Sequence, residues 1–446
     1  MKIGLINPGS AYVSNRIHQD MAYVNGISFV AESLARAGHD VRTVNFAHDP
    51  NANLRDVRDC DVFGATSLLE CYGAFQEIMP QLKATGKPIV VGGPLMSSYG
   101  RTPTNVLMRA FPEIDFGVIG EGELTTPKLM DFLAGKTREM PGGVVFRKGD
   151  TLETTGEPEI VQNLDDLPEV DFSRWKGFSE RVAGEFFNVP QLARGCYNRC
   201  SFCYLIDKKH GIRSYTPGRM EKELANALSL KPKGLHFSDD TFSYDQERAM
   251  KVGDLLAEKG VLYEIQTRVS DVNLKLMKHL KETGCIWARF GIESFDEGIL
   301  KKCGKNITRD QIYRAIGITQ EAGIGAMGFF IFGLPGETKK TIETTLKGIE
   351  ETQLIPRARI LIPLPGTRVY NEAIAQGKIK DEIELLRSYP LQERGGDTVS
   401  GNFVPINLTE NLTDQDLIEA RDRANALRDT LSSNVTDPGQ RDNLAK

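Results

Sequence analysis

The chain has no apolar stretch of the roughly 18 to 20 residues needed to cross a bilayer, which excludes an ordinary membrane-spanning helix. It also lacks a basic excess. Its 55 Lys and Arg stand against 60 Asp and Glu, for a formal net charge of -5, so no surplus of cations is available to neutralise nucleic-acid phosphates. Cysteine is sparse: of seven, three are clustered and four (Cys60, Cys71, Cys285 and Cys303) are scattered. That excludes a disulfide framework and suits a reducing compartment. The scattered four read as small buried core residues. The N-terminus, Met1-Lys-Ile-Gly-Leu-Ile-Asn-Pro8, reads as a strand and loop rather than a signal peptide, and the expected location is cytoplasmic. What remains is ordinary globular composition, 40% hydrophobic and 26% charged, in 446 residues that leave room for two or three domains.

The clustered cysteines form the loop Cys196-Tyr-Asn-Arg-Cys200-Ser-Phe-Cys203. Three thiolates this close can face one inorganic centre, and soft sulfur ligands select zinc or an iron-sulfur cluster. A structural zinc site wants a closed tetrahedron, and no fourth cysteine follows nearby; His210 is the candidate that would complete it. Three ligands to a cubane of four irons would instead leave one iron open to a substrate or cofactor. The spacing, with Phe202 directly before the last cysteine, resembles the radical S-adenosylmethionine enzymes.

In the N-terminal third, short apolar runs alternate with amphipathic segments. The expected strands are 2–7, 40–46, 61–65, 88–92 and 116–119. The segment from Ile27 to Gly38 places Ile27, Val30, Leu34 and Ala35 on one helical face and stops at glycine. A second helix is expected over 74–82. Such alternation implies a parallel sheet covered on both faces, which binds ligands at the carboxyl ends of its strands. Small residues gather at those ends: Ser67-Leu-Leu69, Gly92-Gly93-Pro94 and Gly120-Glu121-Gly122. Tight turns would account for them, and so would a ligand approached closely by backbone. The Ser-x-Leu and the later Gly-Gly resemble two signatures of the cobalamin-binding domain. That resemblance implies cobalamin contacts from Ser67, Leu69, Gly92, Gly93, Pro94, Gly120, Glu121 and Gly122. The domain's first signature, Asp-x-His-x-x-Gly, is broken: aligned on Gly26, it has Met21 for the aspartate and Tyr23 for the histidine that can ligate cobalt from below. His18 is close in sequence, but at the wrong spacing.

Residues 136–180 read as a connection carrying one hairpin, 143–147 with 151–154 around Lys148-Gly-Asp150. From 181 to 370 the alternation resumes. Strands are expected over 188–194, 234–238, 262–268, 286–292, 326–332 and 357–362, and helices over 217–230, 244–259, 271–283, 308–322 and 338–352. Pro217 suits a first helical residue, Asp271 and Thr308 suit N-caps, and Gly260, Gly284 and Gly323 suit helix ends. Six strands with intervening helices make a partial barrel whose site lies at the strands' carboxyl ends. The fold class is therefore α/β: a Rossmann-like domain over 1–135, a partial (β/α)6 barrel over 181–370 and a small, mostly helical segment over 371–446. Asp239, Asp240, Arg268, Glu293 and Ser294 fall at successive strand ends, where each could also be a cap or an ion-pair partner. The family resemblance implies S-adenosylmethionine contacts there. Asp239 or Asp240 would take the amino group, Glu293 the ribose, and Ile331 and Phe202 the adenine, with Arg268 and Ser294 beside them. The fifth strand departs from the family's Gly-x-Ile-x-Gly-x-x-Glu, with Phe329 at its first glycine and Glu337 one place late. Pro363 to Thr367 and Tyr370 resemble the segment that closes the core. In the tail a helix is expected over 414–431, and Phe403 and Tyr389 are candidates to line a substrate.

The resemblance implies a [4Fe-4S] cluster held by Cys196, Cys200 and Cys203, S-adenosylmethionine, cobalamin, and an electron donor such as flavodoxin or ferredoxin. The first expectation is methylation of an unreactive carbon on a small molecule. Oxidative cyclisation or rearrangement is the alternative within the same group. A methylthiotransferase would need three N-terminal cysteines, and only Cys60 and Cys71 are present. From a different class, a noncatalytic cobalamin carrier or metal-binding regulator would need no carboxylates at the barrel ends.

Overall fold

Apolar runs without alternation belong to strands covered on both faces, and in the computed structural model they build the parallel strands of two sheets. Residues 1–9, 25–100, 104–204, 210–395, 405–433, 435 and 440 are described. They fall into two compact units: Met1–Glu185 with Asn226–Lys231 and Asp381–Pro390, and Phe186–Ala225 with Pro232–Lys380 and Leu391–Lys446.

In the first unit, β1 (Lys2–Asn7), β2 (Asp40–Asn45), β3 (Val62–Thr66), β4 (Ile89–Gly92) and β5 (Phe116–Val118) run parallel in the order β2-β1-β3-β4-β5. The direction of winding reverses between β1 and β3, the position at which such sheets open a ligand crevice. Close packing is written into the strands. A Cβ on Gly64 would lie 2.6 Å from Leu5 Cδ2, and one on Gly4 would lie 2.8 Å from Val57 Cβ. The segment read as a connection carries two further strands, β6 (Val144–Lys148) and β7 (Thr151–Thr154), which add antiparallel beyond β5. The hairpin therefore extends this sheet beyond β5.

In the second unit, β8 (Phe186–Val189), β11 (Gly234–Phe237), β12 (Leu262–Thr267), β13 (Cys285–Glu293), β14 (Gly325–Phe332) and β15 (Ile355–Ile360) form an all-parallel sheet in chain order. The strand expected over 188–194 is broken. Pro190 has no N–H to give a ladder, so β8 stops at Val189, and β9 (Ala193–Arg194) instead pairs antiparallel with β10 (Arg213–Ser214). The helix expected after Thr308 starts there with a capping box completed by Gln311. The one expected after Asp271 is capped by Asn273, whose side chain accepts from Leu276 N, because Asp271 is taken up in a 3-10 turn. In the tail, the helix Asp414–Ser433 carries Asn425, which accepts from Ala358 N (3.3 Å) and donates to Ala358 O (3.4 Å), covering the outer edge of β15.

All four scattered cysteines are buried. No helix among the described residues is long and apolar enough to cross a membrane. Residues 10–24, with His18, Met21 and Tyr23, lie outside the described residues, as do Phe403 and the side chain of Tyr389.

Two glycine substitutions test the packing with opposite signs. Gly348, on the buried side of the helix Lys339–Thr352, would put a Cβ 2.3 Å from the Phe295 ring. Gly348→Ala is expected to destabilise by about 1–3 kcal/mol through overpacking. Gly317, exposed in the helix Arg309–Glu321, has nothing within 4 Å. Gly317→Ala is expected to stabilise by about 0.5–1 kcal/mol, both read by thermal denaturation.

Candidate functional site

The cysteine loop leaves β9 through Gly195, whose φ of +104° belongs to glycine. A Cβ there would lie 2.2 Å from Gly211 O. Two carboxylates at the end of β11 fix this entry. Asp239 is fully buried and accepts from Leu192 N (2.9 Å) and Arg248 Nη2 (2.8 Å). Asp240 accepts from Gly195 N (2.9 Å) and, more weakly, from Gln191 Nε2 (3.5 Å). Burial pushes the Asp240 carboxyl up to about 6, against the Gly195 N–H bond that lowers it. Asp239 is thus committed to the protein's own backbone and to Arg248, and Asp240 is the one of the pair that keeps partial exposure.

The far side of the loop is clasped by the three residues after the helix Glu297–Lys302. Ser201 N donates to Cys303 O (2.8 Å), Asn198 Nδ2 donates to Lys305 O (3.0 Å), and the Cys200 thiol points at Gly304 O (3.8 Å). Gly304 has a φ of +72°, and its Cβ would sit 3.0 Å from Arg199 O. Cys196, Cys200 and Cys203 are each partly exposed. Burial pushes the Cys200 thiol up, Lys305 opposes this, and Cys203 and Cys196 are close enough to add to it. Among the described residues, no three His, Cys, Asp or Glu side chains converge as they would around a single metal ion, and His210 is exposed. Three thiolates on one short loop are soft ligands of the kind that zinc or an iron-sulfur cluster takes.

Around the loop stand the strand-end residues. Glu293 closes β13 with a φ of +69°, where the pairing with β14 shifts register. A left-handed glutamate costs energy and marks a position held for a purpose. Its Oε1 lies 2.8 Å from Lys305 Nζ, and both residues are buried. Burial alone would lower the Lys305 ammonium, but Glu293 and then Cys200 outweigh it, and the net direction is up. Arg268, 7% exposed, stacks 4.5 Å from the centre of the Tyr197 ring in the cysteine loop, and its Nε and Nη1 have no hydrogen-bond partner. The Tyr197 hydroxyl donates to Asp271 Oδ1 (2.6 Å). A buried guanidinium with open donors suits an anionic ligand.

Ser294 is turned to other work: its hydroxyl meets Thr345 Oγ1 (3.0 Å) and accepts from Asp296 N (3.0 Å). Phe202 and, on β14, Ile331 are both half-buried. Glu337 is buried, accepts from Gly333 N through Oε2, and leaves Oε1 without a partner. Lys305 and Arg248 escaped the sequence reading. Each reaches its carboxylate across a gap that no periodicity encodes, although Gly304 beside Lys305 was a visible signal of a tight approach.

In the first unit, the small residues meet on one rim. Ser67 N and Oγ both donate to Gly92 O (2.8 and 2.7 Å), and Ser67 Oγ accepts from Met96 N (2.9 Å). Gly93 has a φ of +98°, and its Cβ would fall 2.7–2.8 Å from Thr66 Oγ1 and the Ser67 backbone. Gly120 N donates to Ser97 Oγ (2.9 Å), and Glu121 Oε2 accepts from Val161 N (2.9 Å). Gly122 packs close to Val30. Leu69, Gly92, Gly93 and Pro94 are left partly exposed, a surface over which a flat ligand could lie against backbone.

A family model described as Radical SAM superfamily matches residues 191–349. The chain is 30% identical over 389 residues to the Pyrococcus horikoshii protein named Uncharacterized methyltransferase PH0819, covering 84% of this chain and 83% of that one. It is 23% identical over 380 residues to the anaerobic magnesium-protoporphyrin IX monomethyl ester cyclase of Cereibacter sphaeroides, covering 80% of this chain and 60% of that one. Among solved structures, the radical S-adenosylmethionine methyltransferase TsrM of Kitasatospora setae, with cobalamin and a [4Fe-4S] cluster bound, superimposes with a TM-score of 0.69. The match covers 98% of this chain and 89% of that one at 16% identity, a likeness of fold.

Burial pushes the Glu337 carboxyl up to about 8, with the Gly333 N–H bond opposing it. The folded chain therefore holds a proton at neutral pH that the unfolded chain has released, and each rise in pH favours unfolding until Glu337 ionises. Relative to Glu337→Gln, the wild type is expected to lose thermal stability as pH rises from 4.5 to about 8 and to change little in relative stability above that. A difference independent of pH would show that Glu337 is not buried as a carboxylic acid.

Proposed function

Because this chain belongs to the radical SAM superfamily, we propose that it is a cobalamin-dependent member that transfers a methyl group to an unactivated carbon of a small molecule. The observation that carries this reading is the pairing, in one chain, of a three-cysteine loop at the carboxyl ends of a six-stranded parallel sheet with a second sheet whose parallel strands β4 and β5 are followed by partly exposed glycines, next to the buried Ser67 after β3. The names of the relatives support it, since two of the three proteins compared above are called methyltransferases.

Cys196, Cys200 and Cys203 would hold the iron-sulfur cluster. When bound, the cluster supplies the electron that splits S-adenosylmethionine into methionine and a 5'-deoxyadenosyl radical able to take hydrogen from carbon. The chain's own residues orient the cosubstrate. Asp240 offers a partly exposed carboxylate for the amino group, and Arg268 offers open donors for the carboxylate. Glu293, pinned by Lys305, would take the ribose hydroxyls, and Phe202 and Ile331 would supply apolar surface for adenine. Asp239 and Ser294 act behind these, tying down the strand ends that carry them. Cobalamin, which would supply the methyl group, would lie on the rim formed by Ser67, Leu69, Gly92, Gly93, Pro94, Gly120, Glu121 and Gly122. The electron would come from a small redox protein such as flavodoxin or ferredoxin, and nothing in the charge balance calls for nucleic acid. The cyclase among the relatives favours a second reading in which the radical starts a cyclisation and no methyl is transferred.

Anaerobic purification and reconstitution, followed by iron and sulfide assay and ultraviolet-visible spectra with and without cobalamin, tests the reading. Wild type is expected to bind about four irons and a corrinoid, and the triple variant C196A/C200A/C203A is expected to lose the iron. Zinc without iron would end the radical proposal. Gly93→Val, which must clash with Ser67, is expected to lose corrinoid uptake while keeping its iron. Methyl-labelled S-adenosylmethionine then separates methylation from cyclisation by whether label enters product.

A further inference from the structure

We infer that Lys305 is a positioning residue of the cysteine loop, whose buried ammonium raises the reduction potential of the cluster held there while its ion pair fixes Glu293. The inference rests on the reading that Cys196, Cys200 and Cys203 hold an iron-sulfur cluster.

Three observations converge on this residue. Lys305 is 8% exposed, and its Nζ lies 2.8 Å from Glu293 Oε1. Its backbone carbonyl accepts from Asn198 Nδ2 inside the cysteine loop, and its chain neighbours Cys303 and Gly304 hold Ser201 and Cys200. Finally, β13 keeps a glycine beside the pair: a Cβ on Gly291 would lie 2.7 Å from Lys305 Nζ and 2.9 Å from Glu293 Oε1.

A buried ion pair is weak as a stabiliser, because desolvation offsets most of the attraction and an apolar pair of similar volume often serves as well. Filling this space would not require charge. Charge beside a metal centre does something packing cannot: cluster potentials follow the local charge and the hydrogen bonding to sulfur. A fixed cation eases the arrival of an electron, and a carboxylate hinders it. Lys305 and Glu293 therefore pull in opposite directions on the same centre, and their effects on it can be separated by removing one at a time.

The test uses the full-length chain, anaerobically reconstituted and free of S-adenosylmethionine. Iron per chain is assayed, and midpoint potentials are measured by mediated titration followed by electron paramagnetic resonance. Lys305→Met is expected to shift the potential negative, Glu293→Gln to shift it positive, and Lys305→Arg to stay near wild type. Unchanged potentials at wild-type iron content, or shifts of the same sign for Lys305→Met and Glu293→Gln, would overturn the inference while leaving the cluster in place. If Lys305→Met takes up no iron, Lys305→Gln, a neutral polar side chain, takes its place, and an unchanged potential there would overturn the inference. A wild type without iron would instead remove the cluster reading itself.

Discussion

The second unit depends on the burial of a carboxylate at the end of β11. Asp239 gathers Leu192 N and Arg248 onto its two oxygens, and this joins the end of one strand to the entry of the cysteine loop and to the helix Gln246–Ala257. Breaking such a pair on one side costs about 3–5 kcal/mol, because it strands a charge out of water. Asp240 then sets where Cys196 begins through its bond from Gly195 N. The loop has little regular structure, so its shape comes from these outside attachments and from the clasp at Cys303, Gly304 and Lys305.

The first unit solves a related problem with hydroxyls and glycines instead of charges. One Ser67 side chain ties the end of β3 to Gly92 and to the amide of Met96. Gly93 and Gly120 take conformations that only glycine adopts easily. The resulting rim exposes backbone and small side chains, which suits a broad ligand held by contact area. The loop in the second unit suits a small charged group held by a few strong bonds.

Much of this was legible in the sequence. The strands follow from apolar runs bounded by turn residues, and β1 falls where the pattern places it, at Lys2–Asn7. Thr308 announces its helix through Gln311 three residues later. The cysteine spacing marked out the loop that follows β9, and the small residues marked the tight turns at Ser67, Gly93 and Gly120. What could not be read was long-range pairing. Nothing in the sequence says that Asp239 belongs to Arg248 rather than to a ligand, that Lys305 meets Glu293, or that Pro190 would divert β9 away from β8. The hairpin at 144–154 was visible as a hairpin, but its attachment to β5 is a matter of tertiary register. Asp271 looked like a cap and lost the place to Asn273, since two good capping residues within one turn leave the choice to packing.

The cover that Asn425 gives to β15 has a consequence during synthesis. Chains emerge N-terminus first at about 5–20 residues per second, and about fifty residues separate Ile360 from the helix that begins at Asp414. For roughly 3–13 s after β15 is made, the amide and carbonyl of Ala358 have no Asn425 to meet them. In that interval the nascent chain offers an unpaired strand to any neighbour on the same messenger. The helix Asp414–Ser433 thus closes an edge that would otherwise be open to pairing with another copy of the chain.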